Sequence, residues 1–335
     1  MEPLRFGIIS TASINSYGFL PIVGKVADAE LVAVASRSEE AAAKYAAKHG
    51  IPYAYGSYEG LLASSGIDCV YIPLPVSMHA EWAIKALEAG KHVMCEKPLT
   101  ASAEEAEAIR KKVKETKLTF IEAFHYRYHP LMLRVGELVR SGAIGEVRKV
   151  SSAFCILLPD PRKVQFKPEL AGGALLDVGC YPVSFVRWIA GSDNARVERA
   201  RAFLAPSGVD LTTSAVLRFD NGVIGRINCS LIVPRLQTAT VVGTEGSIEV
   251  HFPFSPVAEV GPLHLNLYRL TLKNKKGKRN IRVASDVTYY YQLKAFCRAV
   301  RTGEPALTNI DEAVANMRLI EAIIKKAGIS TGPHA

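Results

Sequence analysis

Cysteine is scarce in this sequence and is never grouped. The six cysteines are spread between Cys69 and Cys297, none forms a Cys-x-x-Cys pair, and most lie in apolar runs. This distribution argues against a disulfide framework or a zinc site, and it predicts buried thiols in a reducing compartment. We therefore expect neither a disulfide nor a bound metal.

Long apolar runs are absent as well. No stretch reaches the roughly 18 uninterrupted apolar residues of a membrane span. The chain passes directly into Phe6-Gly-Ile-Ile without a charged leader and a cleavage site, which are the marks of a secretory signal. We expect a cytoplasmic protein with no membrane partner. Internal repeats and low-complexity stretches are also missing.

The charge is positive, with a net value of +9. The densest basic run, 273–279, lies between two strand-like segments, and we interpret it as the solvated tip of a hairpin. Nucleic-acid binding is therefore not expected. Some of the remaining positive charge is available for an anionic cofactor.

The first part of the chain alternates strand-like and helix-like segments. Short apolar runs typical of buried parallel strands occur at 4–10, 31–35, 69–72, 92–95 and 119–122, and helical periodicity occurs at 38–49, 78–89 and 101–115. Ser38 and Ser102 are predicted N-caps, and Gly50 and Gly90 are predicted helix ends. Alternation of this kind predicts a doubly wound parallel sheet, a Rossmann domain, over residues 1–124.

The pattern changes near residues 123–130. A helix at 131–141 and a long apolar strand at 147–158 precede a glycine-rich helical entry at Gly172. Extended segments follow at 197–205, 212–219, 222–231, 238–243, 247–252 and 263–272, and helices at 289–301 and 310–327. Asp220-Asn-Gly222 is a hairpin signal. We predict an α+β domain over residues 125–335 with a large, open, mostly antiparallel sheet. Packing of its C-terminal helix against the first domain is left open.

Small residues follow the first predicted strand, in the run Ser10-Thr11-Ala12-Ser13-Ile14-Asn15. This is a degraded form of the Gly-x-Gly-x-x-Gly phosphate turn, and by itself it is equally compatible with an ordinary βα turn. Its position at the first turn of a doubly wound sheet favours the phosphate site.

The second strand is followed by Ser36 and Arg37. An NAD-selective site has an acid here, which binds the ribose hydroxyls and repels a 2′-phosphate. A hydroxyl and a guanidinium suit that phosphate instead. The alternative is a surface arginine at the start of a helix; we favour NADP.

Two further strands end in chemically distinctive loops. The third core strand leads into Leu74, Pro75 and, shortly afterwards, His79, and the fourth leads into Glu96-Lys97-Pro98. A lone lysine is ordinarily solvated, but at this sheet edge Lys97 would point toward a nicotinamide. The Lys97–Pro98 bond is a candidate for the cis form.

A possible partner for Lys97 lies in the second domain. Asp177 and Tyr181 are four positions apart and share one helical face, although they could equally be a cap and a core residue. Hydride transfer at a carbinol needs a group that handles the proton. A tyrosine does so if its pKa falls toward neutrality, and a nearby ammonium favours the phenolate. Lys97 and Tyr181 thus form a workable acid–base pair.

Taken together, these motifs resemble the Gfo/Idh/MocA oxidoreductase family over nearly the whole chain. The resemblance is carried by Ile72–Pro75 with His79, Glu96–Pro98, residues 122–130 and 172–181. It is closest to the branch of dimeric dihydrodiol dehydrogenases, NADP-linked xylose dehydrogenases and glucose–fructose oxidoreductase. It implies that Lys97 and Tyr181 are catalytic, that Asp177 orients substrate, and that two copies pair through the second-domain sheet as a homodimer or a dimer of dimers. It implies cofactor contacts from Ser10, Thr11, Ala12, Ser13, Ile14, Ser36, Arg37, Leu74, Pro75, His79, Glu96, Lys97, Tyr126 and Arg127.

Three positions depart from the family pattern. Val76 stands where many members have asparagine, Ala171 replaces a glycine, and Gln165 stands where many relatives carry arginine. The resulting hypothesis is an NADP(H)-dependent oxidoreductase acting on a sugar, such as an aldose like xylose, or on a cyclic vicinal diol such as a trans-dihydrodiol. Two alternatives stay open: a catalytically silent NADP-sensing regulator, and a sugar–sugar oxidoreductase with tightly bound NADP.

Overall fold

The chain forms two compact units in the computed structural model, which describes residues 2–260, 263–284 and 286–329. One unit comprises the described residues up to His125 together with Tyr289–Val314. The other comprises the described part of Tyr126–Thr288 and the described residues from Ala315 onward. No helix in these ranges has both the length and the apolar character required to cross a membrane.

The first unit alternates strands and helices. Its elements are β1 (Leu4–Ile9), α1 (Asn15–Gly18), α2 (Leu20–Val23), β2 (Ala29–Ala35), α3 (Glu39–His49), β3 (Tyr53–Tyr55), α4 (Tyr58–Leu62), β4 (Cys69–Ile72), α5 (His79–Glu88), β5 (His92–Cys95), α6 (Ala103–Thr116) and β6 (Phe120–Glu122). The six strands form one parallel sheet in the order β3-β2-β1-β4-β5-β6. This is the doubly wound order of dinucleotide-binding folds, so the predicted fold is confirmed.

Local signals in this unit act as expected. Ser38 Oγ accepts a hydrogen bond from Ala41 N at 3.3 Å, and Ser102 Oγ accepts one from Glu105 N at 3.2 Å. Both serines are therefore N-caps, which satisfy backbone donors that the helix leaves unpaired. The predicted cap positions are confirmed.

The second unit contains a larger sheet. The remaining elements of the chain are α7 (Pro130–Arg140), β7 (Val147–Leu157), α8 (Cys180–Ala190), β8 (Ala195–Leu204), β9 (Asp210–Phe219), β10 (Ile224–Ser230), β11 (Ile232–Gly243), β12 (Gly246–His251), β13 (Val257–Val260), β14 (Leu263–Asn266), β15 (Arg269–Asn274), β16 (Gly277–Ile281), α9 (Thr288–Thr302) and α10 (Ile310–Ala327). Eight strands pair in the order β16-β15-β12-β11-β7-β10-β9-β8. Only β7 and β10 run parallel within this described sheet. The predicted mostly antiparallel sheet is confirmed.

One face of this sheet is packed and the other is accessible. Helix α8 packs against β7 and β10, and the inward residues Val150, Leu217 and Ile227 are buried. Helix α9 belongs almost wholly to the first unit, where the rings of Phe296 and Phe6 lie 5.8 Å apart.

One predicted segment is wrong, and two other predictions are confirmed. Residues 263–272 are not a single strand, because the backbone N–H groups of Leu267 and Tyr268 both turn toward Pro256 O, at 2.7 and 3.3 Å. β14 therefore pairs with β13, and β15 joins the large sheet. The basic run does form a hairpin, β15–β16, with Lys275 and Lys276 exposed in its turn. All six cysteines are buried thiols, and none of them forms a disulfide.

Candidate active site

The turn after β1 has the predicted strand–turn–helix form. Ser10 has a φ of 125°, and its Oγ accepts a hydrogen bond from Ala12 N at 3.1 Å. Asn15 Nδ2 donates to Ser10 O at 2.9 Å, and Asn15 is fully buried. The side-chain amide of Asn15 therefore fixes the backbone path of the turn.

This turn suits a dinucleotide. Its short side chains let a phosphate approach the backbone N–H groups, and Thr11 and Ser13 add partly or fully exposed hydroxyls. Asn15 Oδ1 is buried with no hydrogen-bond partner in the described chain. The sequence reasoning gave Asn15 no role, because the motif leads one to look for glycine at that position.

Ser36 and Arg37 lie at the same sheet edge as this turn. Ser10 N donates to Ala35 O at 3.1 Å, and Ser36 N donates to Tyr55 O at 3.0 Å. Ser36 is half-buried and Arg37 is exposed. A hydroxyl and a guanidinium thus occupy the strand end where an NAD-selective site places a carboxylate.

The turn that carries Lys97 rests on buried carboxyl groups. Glu96 Oε1 accepts a hydrogen bond from Tyr71 OH at 2.7 Å, and Oε2 accepts one from Lys97 N at 3.2 Å. Glu122 Oε1 accepts one from Leu99 N at 2.8 Å. Burial raises the pKa of Glu96 above its usual value. The charge of Lys97 and the hydrogen bond from the Tyr71 phenol partly oppose this increase. The Lys97–Pro98 bond, a candidate for the cis form from the sequence, is cis.

His79 is also part of this framework. It is buried, and both of its ring nitrogens lie close to backbone carbonyl oxygens of the loops after β4 and β5. Leu74 is buried and Pro75 is half-buried in the first of these loops. Sequence reasoning did not find the supports from Tyr71 and Glu122, because each comes from a different strand.

In the second unit, Asp177 and Tyr181 lie on a distorted helix entry. Residues Leu175–Gly179 form a π-helical turn that leads directly into α8, a local widening that is frequent at functional sites. Asp177 is half-buried and Tyr181 is 6% exposed. The predicted helix is present, whereas its π-helical form was not foreseen.

Aromatic rings surround Tyr181. The centroids of the rings of Phe154 and Phe254 each lie 5.3 Å away, and that of Tyr126 lies 5.7 Å away. Tyr126 OH donates to Ser184 Oγ at 3.0 Å, and burial raises the pKa of Tyr126 to about 12. The phenol of Tyr181 is thus oriented by apolar ring contacts.

Arg127 has its own partners in the second unit. Its guanidinium lies 4.3 Å over the ring of Trp188, and the residue is 4% exposed. Tyr126, Arg127, Asp177 and Tyr181 belong to the second unit, while the other predicted site residues belong to the first.

The three departures have ordinary structural settings. Val76 is half-buried in a single 3₁₀ turn. Ala171 has a φ of 57°, a conformation that favours the glycine it replaces. Gln165 O accepts a hydrogen bond from Gly173 N at 2.8 Å. The backbone of Gln165 therefore supports the glycine motif, and this contact does not depend on the identity of its side chain.

A doubly wound sheet with loops of this kind at its carboxyl edge is typical of dinucleotide-binding proteins. Within the described ranges, no group of three His, Cys, Asp or Glu side chains is placed to hold a metal ion. Residues 4–124 match the oxidoreductase family with an NAD-binding Rossmann fold, and residues 132–249 match the Gfo/Idh/MocA C-terminal domain. The chain belongs to the Gfo/Idh/MocA family and is an NAD(P)-binding oxidoreductase.

Individual relatives agree with this assignment. The chain is 40% identical to D-xylose 1-dehydrogenase (NADP(+)) 2 of Haloferax volcanii over 97% of both chains. It is 34% identical to trans-1,2-dihydrobenzene-1,2-diol dehydrogenase of Xenopus laevis over 76% of this chain and 78% of the relative. Its structure resembles that of a 3-ketoreductase from Actinomadura kijaniata in complex with TDP-benzene and NADP, with a TM-score of 0.84, 27% identity, and coverage of 97% and 98% of the two chains.

Proposed function

We propose that the protein transfers hydride between NADP(H) and a carbinol or carbonyl carbon of a sugar or a cyclic vicinal diol. The observation that carries this proposal is the turn of Lys97, a lysine held at the carboxyl edge of a dinucleotide-binding sheet by buried polar groups. Bound nicotinamide supplies the hydride acceptor or donor. Tyr181 takes the proton of the carbinol oxygen during oxidation and returns it during reduction, while Lys97 holds that oxygen and Asp177 orients the substrate.

The solved relatives support this pair of residues. Variants of the 3-ketoreductase have been determined in which one lysine is replaced by alanine and one tyrosine by phenylalanine. Those two residues are separated by the same number of positions as Lys97 and Tyr181. The two chains cover each other almost completely. Equal spacing is therefore expected if the lysine and tyrosine of the 3-ketoreductase correspond to Lys97 and Tyr181.

NADP is the proposed cofactor. Ser36 and Arg37 present a hydroxyl and a cation rather than an acid, and a guanidinium binds phosphate by charge-assisted, bidentate hydrogen bonds. The xylose dehydrogenase and the 3-ketoreductase carry NADP in their names or complexes. The turn formed by Ser10–Ile14 is proposed to bind the diphosphate of NADP.

The substrate class is tested with a panel and a cofactor pair. Purified protein is assayed with D-xylose, other aldoses, and trans-1,2-dihydrobenzene-1,2-diol, each with NADP⁺ and NAD⁺, by the appearance of reduced nicotinamide. We expect turnover with at least one member of the panel and a preference for NADP⁺. No turnover across the panel by a protein that binds NADPH would favour the silent regulator instead.

Arg37→Ala tests the proposed phosphate contact. Loss of a charge-assisted hydrogen bond is expected to raise the KM for NADP⁺ about 10- to 100-fold and to leave the KM for NAD⁺ nearly unchanged. Arg298→Ala is the matched control, because Arg298 is exposed and pairs with Glu304. It lies one turn before Arg301, whose guanidinium reaches Asp28 just before β2 begins, so it is at the opposite edge of the sheet. An unchanged ratio of NADP⁺ to NAD⁺ efficiency in Arg37→Ala would contradict the assignment.

A homodimer through the large sheet is the proposed assembly. Small and polar side chains such as Ser151, Ala153 and Thr240 are half-exposed on its accessible face, and Phe203 and Val242 are exposed. A flat face of this kind can pack against a second copy by isologous pairing.

Light scattering tests this assembly with Ala153→Asp, which places a charge in the middle of the face. The wild type is expected to be a dimer or a dimer of dimers, and the variant is expected to dissociate. Ser207→Asp, in the exposed turn between β8 and β9, should keep the wild-type mass. Monomeric wild-type protein at the assay concentration would refute the proposal.

A further inference from the structure

His79 joins two segments of the candidate active site. The residue is 1% exposed. Its Nε2 lies 2.8 Å from Leu74 O, in the loop after β4. Its Nδ1 lies 3.0 Å from Pro98 O and 3.1 Å from Leu99 O, in the turn after β5. A single imidazole therefore spans the loops that follow two neighbouring strands.

We propose that His79 is a positioning residue that fixes the Lys97–Pro98 turn relative to the Leu74–Pro75 loop. In this role the ring acts through the backbone carbonyl groups of Leu74, Pro98 and Leu99, rather than through the direct cofactor contact that the family resemblance implies. This inference rests on the proposed function only in that it takes Lys97 to be catalytic.

The polar groups of the turn are divided between two kinds of partner. Its N–H groups are bound by carboxyl groups, since Lys97 N donates to Glu96 and Leu99 N donates to Glu122. Its carbonyl groups at Pro98 and Leu99 face His79 instead. Buried backbone groups need partners of this kind. Removing the imidazole would leave the turn held only by the carboxyl groups on its N–H side, so we expect the N–H groups of the turn to open to solvent more often.

The ring also sits on a rigid element. His79 is the first residue of α5, whose next turns pack against β4 and β5. A side chain fixed at its Cα can hold a loop in place, whereas a side chain on a second loop would move with it. Burial lowers the pKa of His79, and the nearby carbonyl oxygens oppose that shift. A neutral imidazole has one N–H group and donates to only one of the two loops, whereas a protonated imidazole donates to both. The contacts with the Leu74 loop and with the Lys97–Pro98 turn therefore need separate tests.

Two amide variants separate the contacts. The side-chain nitrogen of His79→Asn falls near the position of Nδ1 and can still reach Pro98 O, but it cannot reach Leu74 O. The side-chain nitrogen of His79→Gln falls near the position of Nε2 and keeps the contact with Leu74 O alone. His79→Phe keeps neither.

Each variant is measured for kcat, for the Kd of NADPH by fluorescence, and for Tm. His79→Gln is expected to lower kcat about tenfold or more, because small displacements of a reacting group are costly, with the Kd for NADPH within about twofold of the wild-type value. His79→Asn is expected to keep kcat within about threefold and to weaken NADPH binding. His79→Phe should show both losses; if it does not fold, the two amide variants still decide the question.

His92→Ala is the matched control. His92 Nδ1 accepts a hydrogen bond from Thr119 N at 3.0 Å at the beginning of β5, the opposite end of the strand that leads to Lys97. Its loss should lower Tm without changing kcat or the Kd for NADPH. If all His79 variants behave like His92→Ala, the residue is merely structural and the proposal fails.

Hydrogen exchange gives a readout that does not depend on turnover. In His79→Gln, the amides of Lys97 and Leu99 should exchange faster than in the wild type, and in His79→Asn they should not. Equal exchange in both variants would overturn the positioning role even if no substrate is found. Faster exchange in a protein without dehydrogenase activity would instead separate the role of His79 from the proposed function.

Discussion

Tyr181→Phe is expected to lower kcat by about 10³-fold and to leave the Kd for NADPH within about twofold of the wild-type value. Proton transfer by a positioned side chain contributes about 10²- to 10⁴-fold to a rate, and phenylalanine keeps the ring contacts with Phe154 and Phe254 while removing the hydroxyl. Steady-state kinetics with the best substrate of the panel, together with NADPH fluorescence, measure the two quantities.

Lys97→Met should lower kcat by a comparable factor for a related reason. Methionine has the length of the lysine stem but lacks the ammonium, which in the proposed mechanism holds the reacting oxygen and favours the phenolate of Tyr181. In the oxidation direction, the rise of rate with pH should therefore move to higher pH. The double variant should lose little more than either single variant, because two residues that act as a unit are not additive.

Two variants control for loss of stability. Tyr268→Phe removes a hydroxyl that donates to Val283 O at 2.9 Å, and Lys85→Met removes an ammonium paired with Glu81 at 2.6 Å. Both should keep kcat within about twofold, since neither residue belongs to the proposed site. Activity of Tyr181→Phe or Lys97→Met that is as high as in these controls would exclude the assigned acid–base pair.

The general location of the site could be predicted because it follows from local patterns. Alternating strand and helix signals fix a doubly wound sheet, and the carboxyl ends of its strands must then share one edge. Ser36 follows β2 directly and Lys97 lies two residues beyond the end of β5, so their placement required no knowledge of distant contacts. The Ser38 and Ser102 caps were equally predictable, because an N-cap depends on residues only three positions away.

The supports of the site could not be predicted, because they are long-range. Tyr71 reaches Glu96 from one strand and Glu122 reaches Leu99 from another. In the sequence, Tyr71 is an unremarkable member of an apolar strand, and no spacing or periodicity links Tyr71 to Glu96 or Glu122 to Leu99. Asn15 was not predicted for a different reason. The contact is local, but the phosphate-turn motif favours glycine at this position and gives no indication that a polar side chain would fix the turn. Side-chain hydrogen bonds between strands leave no periodic trace in the sequence.

Gly173→Ala is expected to reduce both the stability of the second unit and the activity of the protein. Gly173 has a φ of 119°, and a Cβ atom there would lie 2.2 Å from Asp210 Oδ1. Backbone strain of about 1–3 kcal/mol would add to this clash. We expect the free energy of unfolding to fall by about 2–4 kcal/mol, as measured by denaturant titration.

The same variant should also lower kcat by about tenfold or more. Gly173 O accepts a hydrogen bond from Asp177 N at 3.0 Å, so displacement of Gly173 moves the π-helical turn that carries Asp177, whose carboxylate we propose orients the substrate. Gly191→Ala is the control. It also has a positive φ, of 69°, but its Cβ would meet nothing within 4 Å. Its cost should be about 1–2 kcal/mol, with kcat unchanged.

A double-mutant cycle with Asp210 identifies the cause. The buried carboxylate of Asp210 accepts hydrogen bonds from Leu175 N at 2.8 Å and Thr213 Oγ1 at 2.5 Å, and Asp210→Ala should therefore be destabilising by itself. It also removes the atom that a Cβ at position 173 would strike. If the clash dominates, the two substitutions together will cost less than the sum of their separate effects. Strict additivity would mean instead that the loss in Gly173→Ala comes from backbone strain alone, and that Gly173 is required for its φ rather than for the space that Asp210 occupies.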